Sequence, residues 1–260
     1  MTGTTRKPGE FCWINILSPK PEKAMAFYAK VLGWEFTEMP GMGHGIKVGG
    51  SNIGGLFNTV SPQTPDGTAP VMATMIKVES ADATAAKIKS LGGKAMDAFD
   101  VGPAGRMAVC HDPNGAKFDI WQAKAMQGTD VDPNVPGAPS WWETVTSDTA
   151  KAGKFYESLF GWKPEVSDGM GFPYTTYKLG GKPVAGMMPL SKEMVAEGMK
   201  PDWAIYFTVN DVDETSAVAL AAGAKTSIPP SDIPDVGRFG GLVSPDGVMF
   251  YVIKHLRPQP

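Results

Sequence analysis

Residues 24–34 read Ala-Met-Ala-Phe-Tyr-Ala-Lys-Val-Leu-Gly-Trp, and residues 152–162 read Ala-Gly-Lys-Phe-Tyr-Glu-Ser-Leu-Phe-Gly-Trp. In the first stretch Ala24, Phe27, Val31 and Leu32 fall at helical spacing, which lays one apolar face on a sheet, and Gly33 stops the helix. Phe27, Tyr28, Gly33 and Trp34 return 128 positions later as Phe155, Tyr156, Gly161 and Trp162, and upstream Trp13 returns as Trp141 at the same spacing. Lys47, Gly49, Gly50 and Val78 return 131 positions on as Lys178, Gly180, Gly181 and Val209. Gly105, Arg106, Pro113, Gly115 and Phe118 return 132 positions on as Gly237, Arg238, Pro245, Gly247 and Phe250. A period this long marks a duplicated domain, since solenoid units run to roughly 20 to 50 residues. What both copies keep reads as framework, and what they change reads as site.

The length of 260 residues suits two domains, each expected to bury its own core. Lys and Arg number 24 against 27 Asp and Glu, and no basic stripe is present to track a nucleic-acid backbone. The first ten residues hold no apolar leader and no run of about 18 apolar residues occurs, so the sequence predicts a cytoplasmic protein with no membrane span. Cys12 and Cys110 lack counterparts in the other copy and read as buried free thiols.

Outward from the quoted helix, Phe11 to Leu17 alternates as a strand, with Cys12, Ile14 and Ile16 assigned to the helix side. Ser18-Pro19 reads as the helix start. Strands are expected near Gly45 to Val48 and Ile53 to Phe57, around the Gly49-Gly50 turn. The Pro-rich stretch Ser61 to Pro70 is expected to connect them to a second round: strand Val71 to Val78, helix Ala81 to Leu91, strands Met107 to Cys110 and Ala116 to Trp121. Residues 125–139 carry three prolines and two glycines and read as a linker between a first domain, 8–124, and a second, 140–257. The expected class is α+β: four βαβββ modules forming two domains with curved mixed sheets.

The text Glu22 to Trp34, the phrase Asp112-Pro113-Asn114-Gly115-Ala116-Lys117-Phe118-Asp119-Ile120-Trp121 and their second copies resemble the vicinal oxygen chelate superfamily, which includes glyoxalase I, extradiol dioxygenases and bleomycin-resistance proteins. The resemblance implies two glyoxalase-like domains, each pairing two modules around a cavity, and a divalent metal held there in the enzymes. At the positions where the family places its ligands this chain has Trp13, Ala73, Asp119 and Gly54-Gly55 in one copy, and Trp141, Ala204, Tyr251 and Ala185-Gly186 in the other. A single carboxylate among them is not the convergent donor set a divalent ion needs. No metal or other cofactor is therefore expected.

Strand alternation then turns Trp13, Asn15, Asp119 and Trp121 toward one cavity, and Trp141, Glu143, Tyr206 and Tyr251 toward the other. These eight are the candidate ligand-binding residues; no catalytic residue is assigned. Aromatic walls with one acid apiece suit a flat or hydrophobic guest. Asp119 either orients a ligand or sits in an ion pair, with Arg106 as candidate partner. Arg106 and Arg238, kept in both copies, read as framework. His44 is placed at a cavity mouth, and His111 and His255 are read as solvated. The leading expectation is metal-independent binding of a small hydrophobic or aromatic molecule. The alternatives are a metal-dependent lyase or dioxygenase with an atypical site, and a non-catalytic scaffold. The two pockets, differing at Asp119 against Tyr251 and Asn15 against Glu143, should not bind one ligand equally.

Overall fold

The computed structural model describes residues 6–60, 68–168, 171–196 and 198–259. The first half runs β1 (Phe11–Ser18), α1 (Pro21–Leu32), β2 (Glu35–Met39), β3 (Gly43–Val48), β4 (Ser51–Asn58), β5 (Val71–Val78), α2 (Ala81–Ser90), β6 (Lys94–Ala95), β7 (Phe99–Val101), β8 (Gly105–His111) and β9 (Lys117–Ala123). The second runs β10 (Pro139–Thr146), α3 (Thr149–Phe160), β11 (Lys163–Ser167), β12 (Tyr174–Leu179), β13 (Lys182–Pro189), the short α4 (Lys192–Ala196), β14 (Asp202–Thr208), α5 (Val212–Ala221), β15 (Lys225–Ile233), β16 (Gly237–Val243) and β17 (Met249–His255). The four βαβββ modules are present in tandem, and the class is α+β. Of the Pro-rich stretch after β4, residues 61–67 lie outside the described residues.

Each half builds one mixed sheet. The orders are β2-β3-β4-β1-β5-β9-β8-β6, with β7 also on β8, and β11-β12-β13-β10-β14-β17-β16-β15. Modules join through antiparallel pairing of their first strands, β1 with β5 and β10 with β14. Both quoted helices end as expected, on Gly33 and Gly161 in the left-handed conformation that glycine adopts without a Cβ penalty. The start of α1 differs from expectation. Lys20 precedes Pro21, whose ring disfavours the helical conformation at the residue before it, so the helix begins at Pro21, while Ser18 ends β1 and its hydroxyl accepts the Lys20 N–H at 3.0 Å.

The expected separate cores are one core. Buried apolar residues from both halves form a single cluster, with Phe11 stacked on Trp142 at 4.6 Å, Phe118 edge-on to Tyr156 at 6.0 Å and Tyr28 edge-on to Phe250 at 5.6 Å. Sheet pairing joins module one to two and three to four, whereas helix packing sets α1 against α5 and α2 against α3. Repeated groups bond across the halves reciprocally. Trp34 Nε1 donates to Gly137 O and Trp162 Nε1 donates to Gly9 O, both at 2.8 Å. The stretch read as a linker is tied to both halves: Thr129 N–H bonds Cys12 O at 2.8 Å, Thr208 Oγ1 bonds Pro133 O at 2.7 Å, and Val131 is buried.

A β-bulge between Phe11 and Trp13 corrects the strand reading. The extra residue puts Phe11 in the shared core and leaves Cys12 packed with Trp13, Met75 and Trp121, on the other face of the sheet. Both cysteines are buried and free, and burial pushes each thiol up to about 12. Among the described residues no helix is long and apolar enough to cross a membrane.

Candidate functional site

With one face of each sheet buried in the common core, the other face carries the eight candidate residues in two separate groups. In the first sheet the register aligns Trp13 with Met75 and Met75 with Asp119, and a second row aligns Gly55, Asn15 and Ala73. Trp13, Met75 and Trp121 close into an apolar cluster, and Trp121 Nε1 donates to Met126 O at 3.0 Å, so the segment after β9 folds over the face. Asp119 is 3% exposed and its Oδ1 has no partner. Burial pushes its carboxyl up to about 7, opposed by Lys117 and the Asn15 amide. Asn15 itself donates to Met75 Sδ at 3.4 Å.

The second sheet aligns Trp141 with Tyr206 and Tyr206 with Tyr251, and a neighbouring row aligns Gly186, Glu143 and Ala204. Tyr206 stacks on Tyr251 at 4.8 Å. Glu143 is 7% exposed, yet both carboxyl oxygens are satisfied: Tyr206 donates to Oε1 at 3.0 Å and Tyr174 donates to Oε2 at 2.8 Å. Burial raises the Glu143 carboxyl above its ordinary value, and the two hydroxyls oppose that shift. Burial first, and then the Glu143 charge, keep Tyr206 and Tyr174 protonated. Trp141 Nε1 donates to the Tyr174 hydroxyl at 3.0 Å, completing a chain of four side chains. Trp141, Tyr174, Ala204, Ile228 and Phe239 are only half-buried, so this face is a cup with an open side.

Tyr174 was absent from the sequence reading. The signal was present: Thr175 and Tyr177 of β12 point into the core, so Tyr174 and Thr176 point into the cup. The histidines stand elsewhere. His44 pairs with Leu56 on the core-side face of β3 and lines a cleft of about 460 Å³ with Lys20, Lys23 and Asn58, so it does not gate the first cup. His255, read as solvated, is half-buried with Nε2 2.9 Å from Ser140 Oγ, and burial lowers its pKa. His111 is also half-buried, and its pKa is lowered, first by burial and then by Lys117 and Lys94. Arg106 does not reach Asp119. It forks onto Asp82 at 2.8 and 2.9 Å and touches Asp100 at 3.3 Å, as Arg238 forks onto Asp213 and touches Asp232, which makes both arginines framework.

A divalent ion does not fit these residues. Among the described residues no three His, Cys, Asp or Glu side chains stand together. The buried acid of one cup has beside it the Asn15 amide and an apolar cluster, and that of the other already has both oxygens bonded to hydroxyls.

A model of the Glyoxalase/Bleomycin resistance protein/Dioxygenase superfamily matches residues 11–120 and again 141–252. The protein named Putative glyoxylase CFP32 of Mycobacterium bovis is 34% identical over 250 residues, 93% of each chain. The anthracycline biosynthesis protein DnrV of Streptomyces peucetius is 30% identical over 262 residues, 95% of this chain and 94% of its own. Among solved structures the Mn(II)-bound glyoxalase from Novosphingobium aromaticivorans aligns with a TM-score of 0.65 at 18% identity, covering 97% of this chain and 84% of that one. The 2,3-dioxygenase LapB from Pseudomonas sp. KL28 aligns with a TM-score of 0.65 at 12% identity, covering 99% and 96%; likeness at these identities concerns the fold. The chain belongs to the glyoxalase/bleomycin resistance protein/dioxygenase superfamily, as a tandem two-domain member.

Proposed function

We propose that this protein binds a planar aromatic small molecule, without a metal ion, in the cup of the second sheet. The observation that carries this reading is the Glu143 carboxyl held between Tyr174 and Tyr206 inside walls formed by Trp141, Tyr251 and Phe239. Such a site offers stacking surface and a few fixed polar groups, the usual make-up of a small-molecule pocket. The first cup, with Trp13, Asn15, Asp119 and Trp121 packed beneath the Met126 segment, is the lesser site. The relative named for anthracycline biosynthesis is in keeping with a fused-ring guest. A glyoxalase-type lyase or dioxygenase reaction draws support from the fold and from the other relative's name, but the donor set speaks against the divalent ion it would use.

Titration calorimetry with a panel of fused-ring aromatics tests the proposal. One site per chain is expected, and Tyr251→Ala should weaken it roughly 2- to 12-fold, the share of one aromatic contact. No heat from any compound, or binding indifferent to Tyr251→Ala, would overturn it.

A further inference from the structure

Tyr174 lies in the second cup as a guest would lie. Its ring covers Gly186 on β13 so closely that a β-carbon there would overlap the hydroxyl. That hydroxyl donates to Glu143 Oε2 at 2.8 Å and accepts from Trp141 Nε1 at 3.0 Å, one bond in each direction, as a phenol can form. Tyr174 nevertheless remains half-buried and is the first residue of β12, in the outer hairpin of its sheet. It can therefore leave by rotation about χ1 without breaking the sheet ladder. The first half repeats the floor glycine as Gly55, where a β-carbon would stand 2.6 Å from the ring of Phe57. There the covering ring carries no hydroxyl, and the buried acid Asp119 keeps an oxygen without a partner. Both floors seat a ring, and the second seats a phenol.

We infer that Glu143 and Trp141 form a receptor for a phenolic hydroxyl, that Tyr174 is its internal occupant, and that hydroxylated aromatics bind by displacing Tyr174. The inference rests on the functional reading given for the same cup and narrows it to a ligand class. An incoming phenol restores both hydrogen bonds that Tyr174 gives up. An aryl methyl ether of the same shape cannot donate, and it leaves a buried carboxyl oxygen unpaired, so the cup discriminates between the two.

Titration calorimetry with 2-naphthol and 2-methoxynaphthalene on the full chain tests this. Tyr174→Ala should bind 2-naphthol at least about tenfold tighter than wild type, because the internal competitor is gone, and should prefer it to the methyl ether by about tenfold. Adding Glu143→Ala should erase that preference. Tyr174→Phe, which keeps the ring and loses both anchoring bonds, should also gain affinity for 2-naphthol, and it decides the matter if the alanine variant does not fold. Tyr174 variants that bind both probes equally, or no more tightly than wild type, would overturn the hydroxyl receptor while a Tyr251-dependent site upholds the broader reading. No binding of either probe to any form would remove both.

Discussion

Inside a face made of tryptophan and methionine, burial pushes the Asp119 carboxyl up to about 7, whereas in the unfolded chain it ionises near pH 4. Between those values the folded chain holds more protons than the unfolded one. The contribution of this residue to stability therefore falls as pH rises from about 4 to about 7, and is level above that. Three pKa units correspond to about 4 kcal/mol as an upper figure. Asp119→Asn, neutral and of the same shape, should match wild type near pH 4 and exceed it in urea unfolding at pH 8. A difference between the two that does not change with pH would contradict the burial argument. Glu143 is raised in the same direction, but its two tyrosine hydroxyls favour the charged form, so it should respond less.

The turn after β8 shows how one element serves both halves. Asp112 Oδ1 accepts the backbone N–H groups of Asn114, Gly115 and Ala116 at 2.8 to 2.9 Å, while Oδ2 accepts the Tyr156 hydroxyl of α3 at 3.2 Å. Asp112→Ala strips every one of these donors and should cost about 3 kcal/mol; Asp112→Asn, which can keep the turn bonds and lose only the tyrosine, should cost about 1 kcal/mol. Equal losses in chemical unfolding would show that the turn bonds contribute nothing. The repeated Pro113 and Gly115 stand in this turn, and in the sequence helical spacing marked α1 and the repeat carried it to α3. Alternation also placed all eight candidate residues on strands with their face assigned, because a two-residue period survives in text along any stretch without an inserted residue. Cys12 was misplaced because a bulge is an insertion that composition does not announce. Tyr174 was missed because β12 was not read as a strand, and its meaning depends on Gly186, a neighbour only after the sheet has formed. Asp119 and Glu143 looked like equivalent lone acids, and only tertiary hydroxyls separate them.

For the whole molecule, duplication suggested two units with a tether, and the packing gives two sheets around one core. Phe11, Phe27, Phe118 and Trp34 each meet an aromatic ring of the other half, and no local pattern reveals which half a buried face will meet. Heat should therefore unfold the full chain in one transition, with calorimetric and van't Hoff enthalpies equal. Residues 1–130 produced alone should aggregate or self-associate through the uncovered core. A monomeric half with a dispersed NMR spectrum would refute this. The paired indole bonds, Trp34 to Gly137 and Trp162 to Gly9, have a further meaning. Position i of one half meets j of the other while j meets i, which is the rule of an isologous twofold dimer. Such an interface does not need a peptide bond across it. Proteolysis between residues 125 and 139 should leave a nicked heterodimer that elutes as the intact protein does, so the polypeptide behaves as a pair of subunits that happen to share a backbone.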